Sequence, residues 1–458
     1  MIAARKCSLG ILLLLVSLSL AAPARGDWKA GAARIDITPQ KFMWMAGYGG
    51  RDHPAEGKAT SLFAKALVLE DGDGDRGLLV TFDLIGIDRT LAQELCRLLN
   101  QAHGLERRQI VFCFSHTHSG PVVGRNLGPL HYLLLDKTQQ ALIDEYVGFL
   151  KSKVLQVVSQ AFNNLRPSQL AWGNGIATYA VNRRNNKADE VPVLRTKGKL
   201  VGPHDHDVPV LSVRDSQGQL QAVVFGYACH ATTLSAYEWN GDHPGYAQAE
   251  LEAEHPGCVA LFWAGCGADQ NPLPRRTVQL ARHYGRRLAT AVDTVLMTTQ
   301  MTPLADRLVT SFREVNVPLD RLPTREEVEK DAQSSSPYTA ARAKMLLAQL
   351  DAGQPLSPTY PYPVSVWRIG QDIQFVTLGG EVVVDYALRL KAELSGPKTW
   401  VAGYSNDVMA YIPSLRVLKE GGYEGATAMV YYGLPSPWAP AVEDTIVREV
   451  HAQLGGAK

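Results

Sequence analysis

The chain carries almost no net charge. Its 46 lysines and arginines are balanced by 45 aspartates and glutamates, which gives a formal charge of +1. A nucleic-acid-binding protein normally shows a basic face or tail, so this class is disfavoured. The 458 residues are 46% hydrophobic and 20% charged, with no internal repeat and no low-complexity tract. This ordinary balance predicts a globular protein with a sizeable core.

Long apolar runs are missing after the first few dozen residues, so no membrane span is expected in the mature chain. One run, residues 9–20, follows Arg5 and Lys6 and precedes a small-residue stretch at residues 22–24. This pattern predicts a cleavable signal peptide over residues 1–24 and a secreted or periplasmic protein. A retained membrane anchor is the alternative, although the run is short for a bilayer span.

Cysteine is also scarce. The six cysteines include Cys7 in the leader, and the five that remain cannot all pair with one another. Export permits disulfides, and Cys258 and Cys266 are close enough in sequence to form one. Cys113 and Cys229 lie in apolar, strand-like runs, where a buried free thiol is expected.

Strand-like and helical patterns alternate along the chain, which predicts an α/β (mixed α+β) fold with mixed β-sheets flanked by helices. We expect a single large domain over residues 25–458. Residues 183–207 are polar and rich in turn formers, and residues 324–350 form a charged helical excursion that could cover a site. Strand-like runs cover residues 62–69, 78–82, 110–114, 209–213, 222–228, 258–263, 364–367 and 373–378, and helical patterns cover residues 91–99, 137–163 and 280–295.

The sharpest local signal is the run Ser-His-Thr-His-Ser-Gly-Pro at residues 115–121. It follows an apolar strand, and in extended backbone residues two apart point the same way. His116 and His118 would then project together from the end of a strand, where α/β proteins place their sites. Neutral imidazole is a common metal ligand, so metal binding is one interpretation. A pair of solvated loop histidines is the other.

Three further strand ends carry polar residues. His230 ends the run 222–228, although a lone histidine there is often a hydrogen-bonded core residue. A Gly-rich turn after residues 258–263 bears Asp269 and Asn271, and its backbone amides could hold an oxyanion. The alternative is a tight polar turn, and the segment is not a Gly-x-Ser-x-Gly elbow. Glu381 follows two glycines after the run 373–378.

Two other segments have open interpretations. The turn at residues 240–246 opens a helix and either lines a pocket or serves as a connector. The cluster His204-Asp205-His206-Asp207 has the composition of a metal site, but it lies in a polar loop, and we expect it to be exposed.

Taken in order, these segments resemble the catalytic domain of the neutral/alkaline non-lysosomal ceramidase family. The resemblance extends over nearly the whole mature chain, and the His-Thr-His-Ser-Gly-Pro element is identical. The matching elements are Asp36-Ile37-Thr38-Pro39, Met45-Ala46-Gly47-Tyr48, residues 116–121, Asn182-Arg183, His230, residues 241–247, Gly380-Glu381 and Tyr423-Glu424-Gly425-Ala426.

The resemblance implies a Zn²⁺ cofactor and assigns roles to particular residues. It implies that His118 acts as general acid/base and that Arg183 and Tyr423 stabilise the oxyanion. It also makes Asp269 and Asn271 candidate catalytic residues. The implied zinc ligands are His116, His230, Glu381 and Tyr411.

The sequence departs from the family at the segment Gly-Asp-Val-Ser-Pro-Asn, where Asn271 occupies the serine position. The chain is also expected to lack the family's C-terminal β-sandwich domain. The resemblance implies an exported zinc hydrolase that cleaves an N-acyl, ceramide-like amide with metal-activated water. Because of Asn271, a zinc hydrolase for another amide or an ester is an alternative. The second alternative is a non-enzymatic binding protein in which the metal only stabilises the fold.

Overall fold

The computed structural model describes residues 28–297 and 301–455, and the predicted signal peptide lies outside these residues. The strands are β1 (Lys29–Asp36), β2 (Gly57–Lys58), β3 (Phe63–Glu70), β4 (Arg76–Phe82), β5 (Ile110–Phe114), β6 (Arg166–Ile176), β7 (Ala180–Asn182), β8 (Asp207–Asp215), β9 (Leu220–Tyr227), β10 (Glu238–Trp239), β11 (Val259–Ala264), β12 (Gln270–Pro272), β13 (Thr302–Pro303), β14 (Leu308–Pro318), β15 (Thr359–Ile369), β16 (Ile373–Leu378), β17 (Glu381–Val382), β18 (Thr399–Ala402) and β19 (Tyr411–Ile412). The α-helices are α1 (Arg89–His103), α2 (Lys137–Asn163), α3 (Val191–Thr196), α4 (Asp242–Glu254), α5 (Val278–Met297), α6 (Arg325–Asp331), α7 (Pro337–Asp351), α8 (Asp385–Glu393), α9 (Leu415–Glu420), α10 (Met429–Tyr432) and α11 (Val442–Gly455).

Local sequence signals set the ends of the helices. The side chain of Asp88 accepts a hydrogen bond from the Leu91 N–H at the start of α1. The helix stops at Gly104, whose φ of 69° lets its N–H reach the carbonyl of Asn100. Between these caps the leucines at helical spacing are buried, so the apolar face predicted from the sequence is the face that packs.

Two mixed sheets pack face to face, and helices cover their outer sides. The larger sheet has nine strands in the order β11-β9-β8-β6-β1-β3-β4-β5, with β13 beside β6. One of its faces packs against α1, α2, α4 and α5. Its other face packs against the four-stranded sheet β14-β15-β16-β18 through a core that contains Trp263, Trp367 and Trp400. Helices α8 and α11 cover the far side of the smaller sheet.

A short segment after β18 connects the two edge strands of the larger sheet. Gly403 donates to the carbonyl of Ala264 in β11, and Asn406 donates to the carbonyl of Phe112 in β5. Phe114 in turn donates to the carbonyl of Tyr404. The residues that follow β5, β9 and β16 are thereby brought together beside this segment, and they form the site described below.

The predicted mixed α/β class is confirmed, and several elements match closely, including α2, β5 and β16. Strand β15 begins at Thr359, before the predicted start at residue 364. Its first residues pair only with β14, and their other side is open. Pro361 and Pro363, which have no N–H, therefore interrupt no hydrogen bond of the ladder. The charged excursion forms the two helices α6 and α7. Among the described residues, no helix is both long and apolar enough to cross a membrane.

The cysteines that the structure describes are all free and buried. Cys113 and Cys229 are buried thiols, as predicted. Cys258 and Cys266 flank β11 at its two ends, so the disulfide considered between them does not form. An extended strand of this length separates them by roughly 20 Å, and a disulfide needs Cα atoms within about 7 Å.

Candidate metal centre and active site

His116 is held just beyond β5 in a left-handed backbone conformation, with φ at 58°. Its N–H donates to the carbonyl of Leu84, and its Nδ1 lies 2.7 Å from the carbonyl oxygen of Ile85. This contact places the imidazole proton on Nδ1 and leaves Nε2 free to accept. The sequence predicted that extended backbone aligns His116 with His118. The backbone instead turns at His116, so this turn, and not an extended strand, brings the two rings together.

His230 lies beyond β9 and, like His116, contacts backbone carbonyls through both its N–H and its Nδ1. Its N–H donates to the carbonyl of Gln270, and its Nδ1 lies 3.0 Å from the carbonyl oxygen of Gly267. Burial lowers the pKa of His230 to about 4, so the ring is neutral near pH 7. A neutral imidazole with its proton fixed on Nδ1 is the form that ligates a metal.

Glu381 lies between the two imidazoles. Its Oε2 is 3.2 Å from Nε2 of His116 and 3.1 Å from Nε2 of His230, and its Oε1 accepts a 2.5 Å hydrogen bond from Tyr432. Burial alone would raise the pKa of Glu381, but positive charge beside it, which a protonated imidazole supplies when no cation is bound, holds the pKa well below its usual value. The side chain is therefore a carboxylate when a positive charge lies next to it.

Tyr411 is the register partner of Glu381 in the parallel pair β17–β19. Directly paired residues in a parallel ladder project from the same face, so the two side chains are neighbours. Burial raises the pKa of Tyr411 well above its usual value, and the charge of Glu381 adds to the effect. The hydroxyl therefore keeps its proton unless a cation lies beside it.

His118 is the third imidazole, with its ring centroid 5.0 Å from that of His116 and 5.5 Å from that of His230. Among the residues that the structure describes, neither of its ring nitrogens has a hydrogen-bond partner. Burial, followed by the neighbouring imidazoles, lowers its pKa well below the usual value. Gly47 packs against the ring so closely that a Cβ there would lie 2.4 Å from His118 Cγ.

These residues fit a divalent cation. Buried nitrogen and oxygen atoms with no hydrogen-bond partner converge here, and such atoms normally cost free energy. Among the described residues, His116, His118 and His230 form a group whose ligand atoms lie within 4.8 Å of one another. Imidazole and carboxylate donors suit a borderline metal ion. The unpartnered atoms are His116 Nε2, His118 Nδ1 and Nε2, His230 Nε2 and Glu381 Oε2.

Arg183 lies on the other side of Tyr411. Its Nη2 donates to the Tyr411 hydroxyl over 3.2 Å, and its Nε donates to Glu424 over 2.8 Å. Glu424 also accepts from Arg184, so one carboxylate fixes two guanidinium groups. The guanidinium carbon of Arg183 lies 5.7 Å from the centre of the Tyr423 ring, and Tyr423 is 44% exposed. Arg183 and Tyr423 therefore face the accessible side of the site.

Asp269 and Asn271 are buried in the Gly-rich turn. The carboxylate of Asp269 accepts from the Val384 N–H and from the Asn182 side chain, each over 3.0 Å. Burial raises the pKa of Asp269. The side chain of Asn271 accepts from Thr232 over 3.3 Å. These contacts tie loops together around the site, and a catalytic role for either residue stays a prediction.

The His204-Asp207 cluster is not part of the group of converging histidines. His204 is exposed, as expected, but the other three residues are partly buried, and the carboxylates of Asp205 and Asp207 both accept from Lys391. His206 contacts the carbonyl of Ala180 through Nε2. The loop is thus held by an ion pair.

Several supporting residues were missed from the sequence. Tyr432 contacts Glu381, and the Tyr404 hydroxyl lies 3.3 Å from Nδ1 of His230. His243, in the turn that opens α4, lies beneath the site with Nε2 3.2 Å from the carbonyl oxygen of His230. Glu424 stands next to Tyr423 in the quoted Tyr-Glu-Gly-Ala element, which could have indicated it. His243 lies in the turn at residues 240–246 that the sequence singled out, whereas no local pattern marks Tyr404 or Tyr432.

Comparison with known proteins gives consistent matches. The chain is 26% identical over 270 residues to the neutral ceramidase of Pseudomonas aeruginosa, a match that covers 56% of this chain and 39% of that protein. It is 25% identical over 257 residues to the neutral ceramidase of Drosophila melanogaster, covering 53% and 35%. These matches therefore span less than half of the curated relatives. The crystal structure of the P. aeruginosa protein aligns with a TM-score of 0.69 at 19% identity, covering 93% of this chain and 73% of that one, which shows a shared fold.

A family model described as neutral/alkaline non-lysosomal ceramidase, N-terminal, matches residues 28–317. This range includes the three histidines and Arg183, whereas Glu381, Tyr411 and Tyr423 lie beyond it. The matched range is more than half of the chain. The chain therefore belongs to the neutral/alkaline non-lysosomal ceramidase family.

Proposed function

We propose that this protein is a zinc-dependent amidohydrolase that cleaves an N-acyl, ceramide-like amide bond. The observation that carries the proposal is the position of the Glu381 carboxylate, 3.2 and 3.1 Å from the Nε2 atoms of two buried imidazoles. The family of the chain supports the reaction class. The curated relatives are named neutral ceramidases.

The residues that would hold the zinc are His116, His230, Glu381 and Tyr411. Two imidazoles, a carboxylate and a phenolic oxygen form a nitrogen and oxygen donor set that zinc accepts. When bound, the ion supplies a Lewis acid that polarises the substrate carbonyl and activates water for attack.

The side chains of the protein perform the remaining tasks. His118 is neutral and has both ring nitrogens free, so it accepts a proton from the attacking water and returns it to the departing amine nitrogen. The carbon–nitrogen bond breaks as the new carbon–oxygen bond forms, giving a carboxylic acid and an amine. Arg183, fixed by Glu424, and the exposed Tyr423 donate hydrogen bonds to the oxyanion that develops on the carbonyl oxygen.

A second candidate is hydrolysis of another amide or of an ester. Asn271 occupies the position of the family's serine, and its side chain is engaged with Thr232 inside the turn. Substrate contacts on that side of the site therefore differ from those of a serine-bearing relative. A purely structural metal site is less well supported, because it does not require an unpartnered imidazole such as that of His118 beside the metal ligands.

We also propose that the protein acts after export, on the strength of the signal-peptide pattern in residues 1–24. Expression of the full chain and N-terminal sequencing of the extracytoplasmic protein test this point. A mature chain that begins near residue 25 is expected, and an intact leader on a membrane-bound protein would contradict it.

The main experiment measures metal content and hydrolysis of a short fluorescent N-acyl-sphingosine, before and after chelation. About one zinc per chain and cleavage that is lost on chelation are expected. Zinc without cleavage of this probe, but with chelator-sensitive cleavage of other amides or esters, would favour the second candidate. A protein that binds no zinc would overturn the proposal.

A further inference from the structure

Two arginines, Arg51 and Arg276, lie against the ring of Tyr48, next to His118, and Arg275 is the chain neighbour of Arg276. We call Arg51, Arg275 and Arg276 the arginine group. The Tyr48 ring centroid lies 4.7 Å from that of His118. The guanidinium carbons of Arg276 and Arg51 lie 5.0 and 5.4 Å from the centre of the same ring. The Tyr48 ring therefore lies between the Arg276 guanidinium and the His118 ring, whereas Arg51 reaches the backbone carbonyl of His118 directly.

The charges of the arginine group are not neutralised within the protein. Across residues 28–297 and 301–455, none of the three arginines forms an ion pair with a carboxylate, whereas Arg183 nearby is paired with Glu424. The buried carboxylate of Asp242 accepts backbone N–H groups of Leu234 and His243 instead. Guanidinium groups held together without an anion repel one another, so an anion that joins them is favoured.

The three arginines differ in how fully the protein uses their donors. Arg51 is buried and donates to the carbonyls of Ala236 and His118. Arg276 is exposed and donates to the Tyr48 hydroxyl over 2.9 Å. Arg275 is half-buried. Its pKa is lowered by burial first, and then by the positive charges of Arg276 and Arg183. Arg275 and Arg276 therefore keep donors for a ligand.

The backbone at Arg276 supports a role for this position. Its φ is 95°, a conformation that strains a non-glycine residue, and it is fixed by a 2.6 Å hydrogen bond from its N–H to the carbonyl of Thr233. Such strain persists where the surrounding structure fixes it, and it is concentrated at functional sites. Here it presents a guanidinium beside the proposed catalytic centre.

We propose that the arginine group binds an oxyanion of the substrate, so that the preferred substrates are N-acyl amides whose amine portion carries a carboxylate, phosphate or sulfate. This inference rests on the proposed amidohydrolase function and specifies its substrate class. The planar guanidinium fork matches these anions. Because Tyr48 lies between Arg276 and the His118 ring, the anion is placed a few bonds away from the amide nitrogen.

The test uses the zinc-loaded protein and two amides of equal acyl length, N-dodecanoyl-γ-aminobutyrate and the corresponding N-dodecanoyl aminobutanol. They differ only in the terminal carboxylate. The wild type is expected to prefer the acid in kcat/KM by about tenfold or more, the factor of one charge-assisted hydrogen bond. Added salt should reduce this preference.

Two variants probe the arginine group. Arg275→Gln and Arg276→Lys should each bring the two kcat/KM values closer together, whereas Arg97→Gln, an exposed arginine on α1, keeps the wild-type ratio. Arg276→Lys keeps the charge and removes the guanidinium fork. Equal turnover of both amides by the wild type, or a preference that survives both substitutions, would overturn the inference.

If neither amide is hydrolysed in a chelator-sensitive manner, cleavage of the N-acyl-sphingosine probe decides separately whether the proposed function holds. Calorimetric binding of the acid and the alcohol to the zinc-loaded protein then tests the arginine group by itself. Tighter binding of the acid that is weakened in Arg275→Gln supports an oxyanion site. Equal binding of the two compounds refutes it.

Discussion

Glu381 and Tyr411 are direct partners in the parallel ladder of β17 and β19, although they are thirty residues apart in sequence. The Glu381 N–H donates to the carbonyl of Ala410 over 2.7 Å, which fixes this register. A shift by one residue would turn one of the two side chains away from the imidazoles. The ladder thus positions two of the four proposed zinc ligands through backbone pairing.

Substitution of a proposed imidazole ligand should remove the metal. We expect His230→Ala to reduce zinc from about one per chain to a small fraction of that, because the ring supplies one of four ligands. Elemental analysis of the purified protein measures this. His204→Ala, in the exposed loop, is the matched control and should keep its zinc. Wild-type zinc in His230→Ala would refute the ligand assignment.

His118 should affect the reaction and not metal retention. In His118→Ala we expect kcat to fall by about 10²–10⁴, the usual contribution of a general acid/base, with zinc content unchanged. His283→Ala, an exposed histidine on α5, serves as the control. Loss of zinc in the His118 variant would instead identify this residue as a metal ligand.

Gly47 should be required for the position of the His118 ring. A Cβ at residue 47 would lie 2.4 Å from both Cγ and Nδ1 of His118, so Gly47→Ala must displace the imidazole. We expect kcat to fall by about 10²-fold with zinc retained. Gly74→Ala is matched, because Gly74 has a similar φ of 87° and open space around it. Comparable losses in both variants would point to backbone strain instead.

Tyr432 should tune the metal site through Glu381. Tyr432→Phe removes the hydrogen bond to Oε1, and loss of such an outer contact typically costs about 10- to 100-fold in metal affinity or activity. Competition with a fluorescent chelator measures the affinity. Tyr132→Phe, which loses a hydrogen bond to Asp144 outside the site, is the control. Unchanged affinity and activity in Tyr432→Phe would show that Glu381 needs no such support.

Asp407 should make stability depend on pH. Burial raises its pKa to about 7 from 3.8, although a hydrogen bond from Tyr360 opposes the change. Between these values the folded protein holds a proton that the unfolded chain releases, so the free energy of unfolding falls as pH rises from about 4 to 7. The loss is on the order of a few kcal/mol.

The Asp407→Asn variant cannot titrate, so its melting temperature should vary less over this pH range than that of the wild type. Thermal unfolding at a series of pH values gives the comparison, and the exposed Asp189→Asn provides the control. If the melting temperature of Asp407→Asn changes with pH as steeply as that of the wild type, the pH dependence arises from other groups.

The sequence predicted the elements whose signals are local. Strand β5 is a continuous apolar run, β16 is largely apolar and α2 shows a regular buried face, so their bounds followed from composition and spacing. The start of β15 was missed because its prolines disfavour a strand unless one side of the ladder is open. That condition depends on tertiary pairing.

The residues of the site also differ in whether a local sequence signal reveals them. His116, His230 and Glu381 were identified because each follows an apolar strand, and the ordered resemblance then grouped them into one site. Tyr404 and Tyr432 contact the site from distant segments, and no sequence spacing relates them to it. The left-handed turn at His116 was also not predicted, because it depends on hydrogen bonds to residues 84 and 85.

The segment after β18 has a consequence for the behaviour of partly unfolded protein. Gly403, Tyr404 and Asn406 occupy backbone groups on β5 and β11, which are the two edges of the larger sheet. An uncovered edge strand is a template for pairing with other chains, and both edges here are strongly apolar. Detachment of this segment would expose both edges at once, so aggregation should begin as soon as the smaller sheet separates from the larger one.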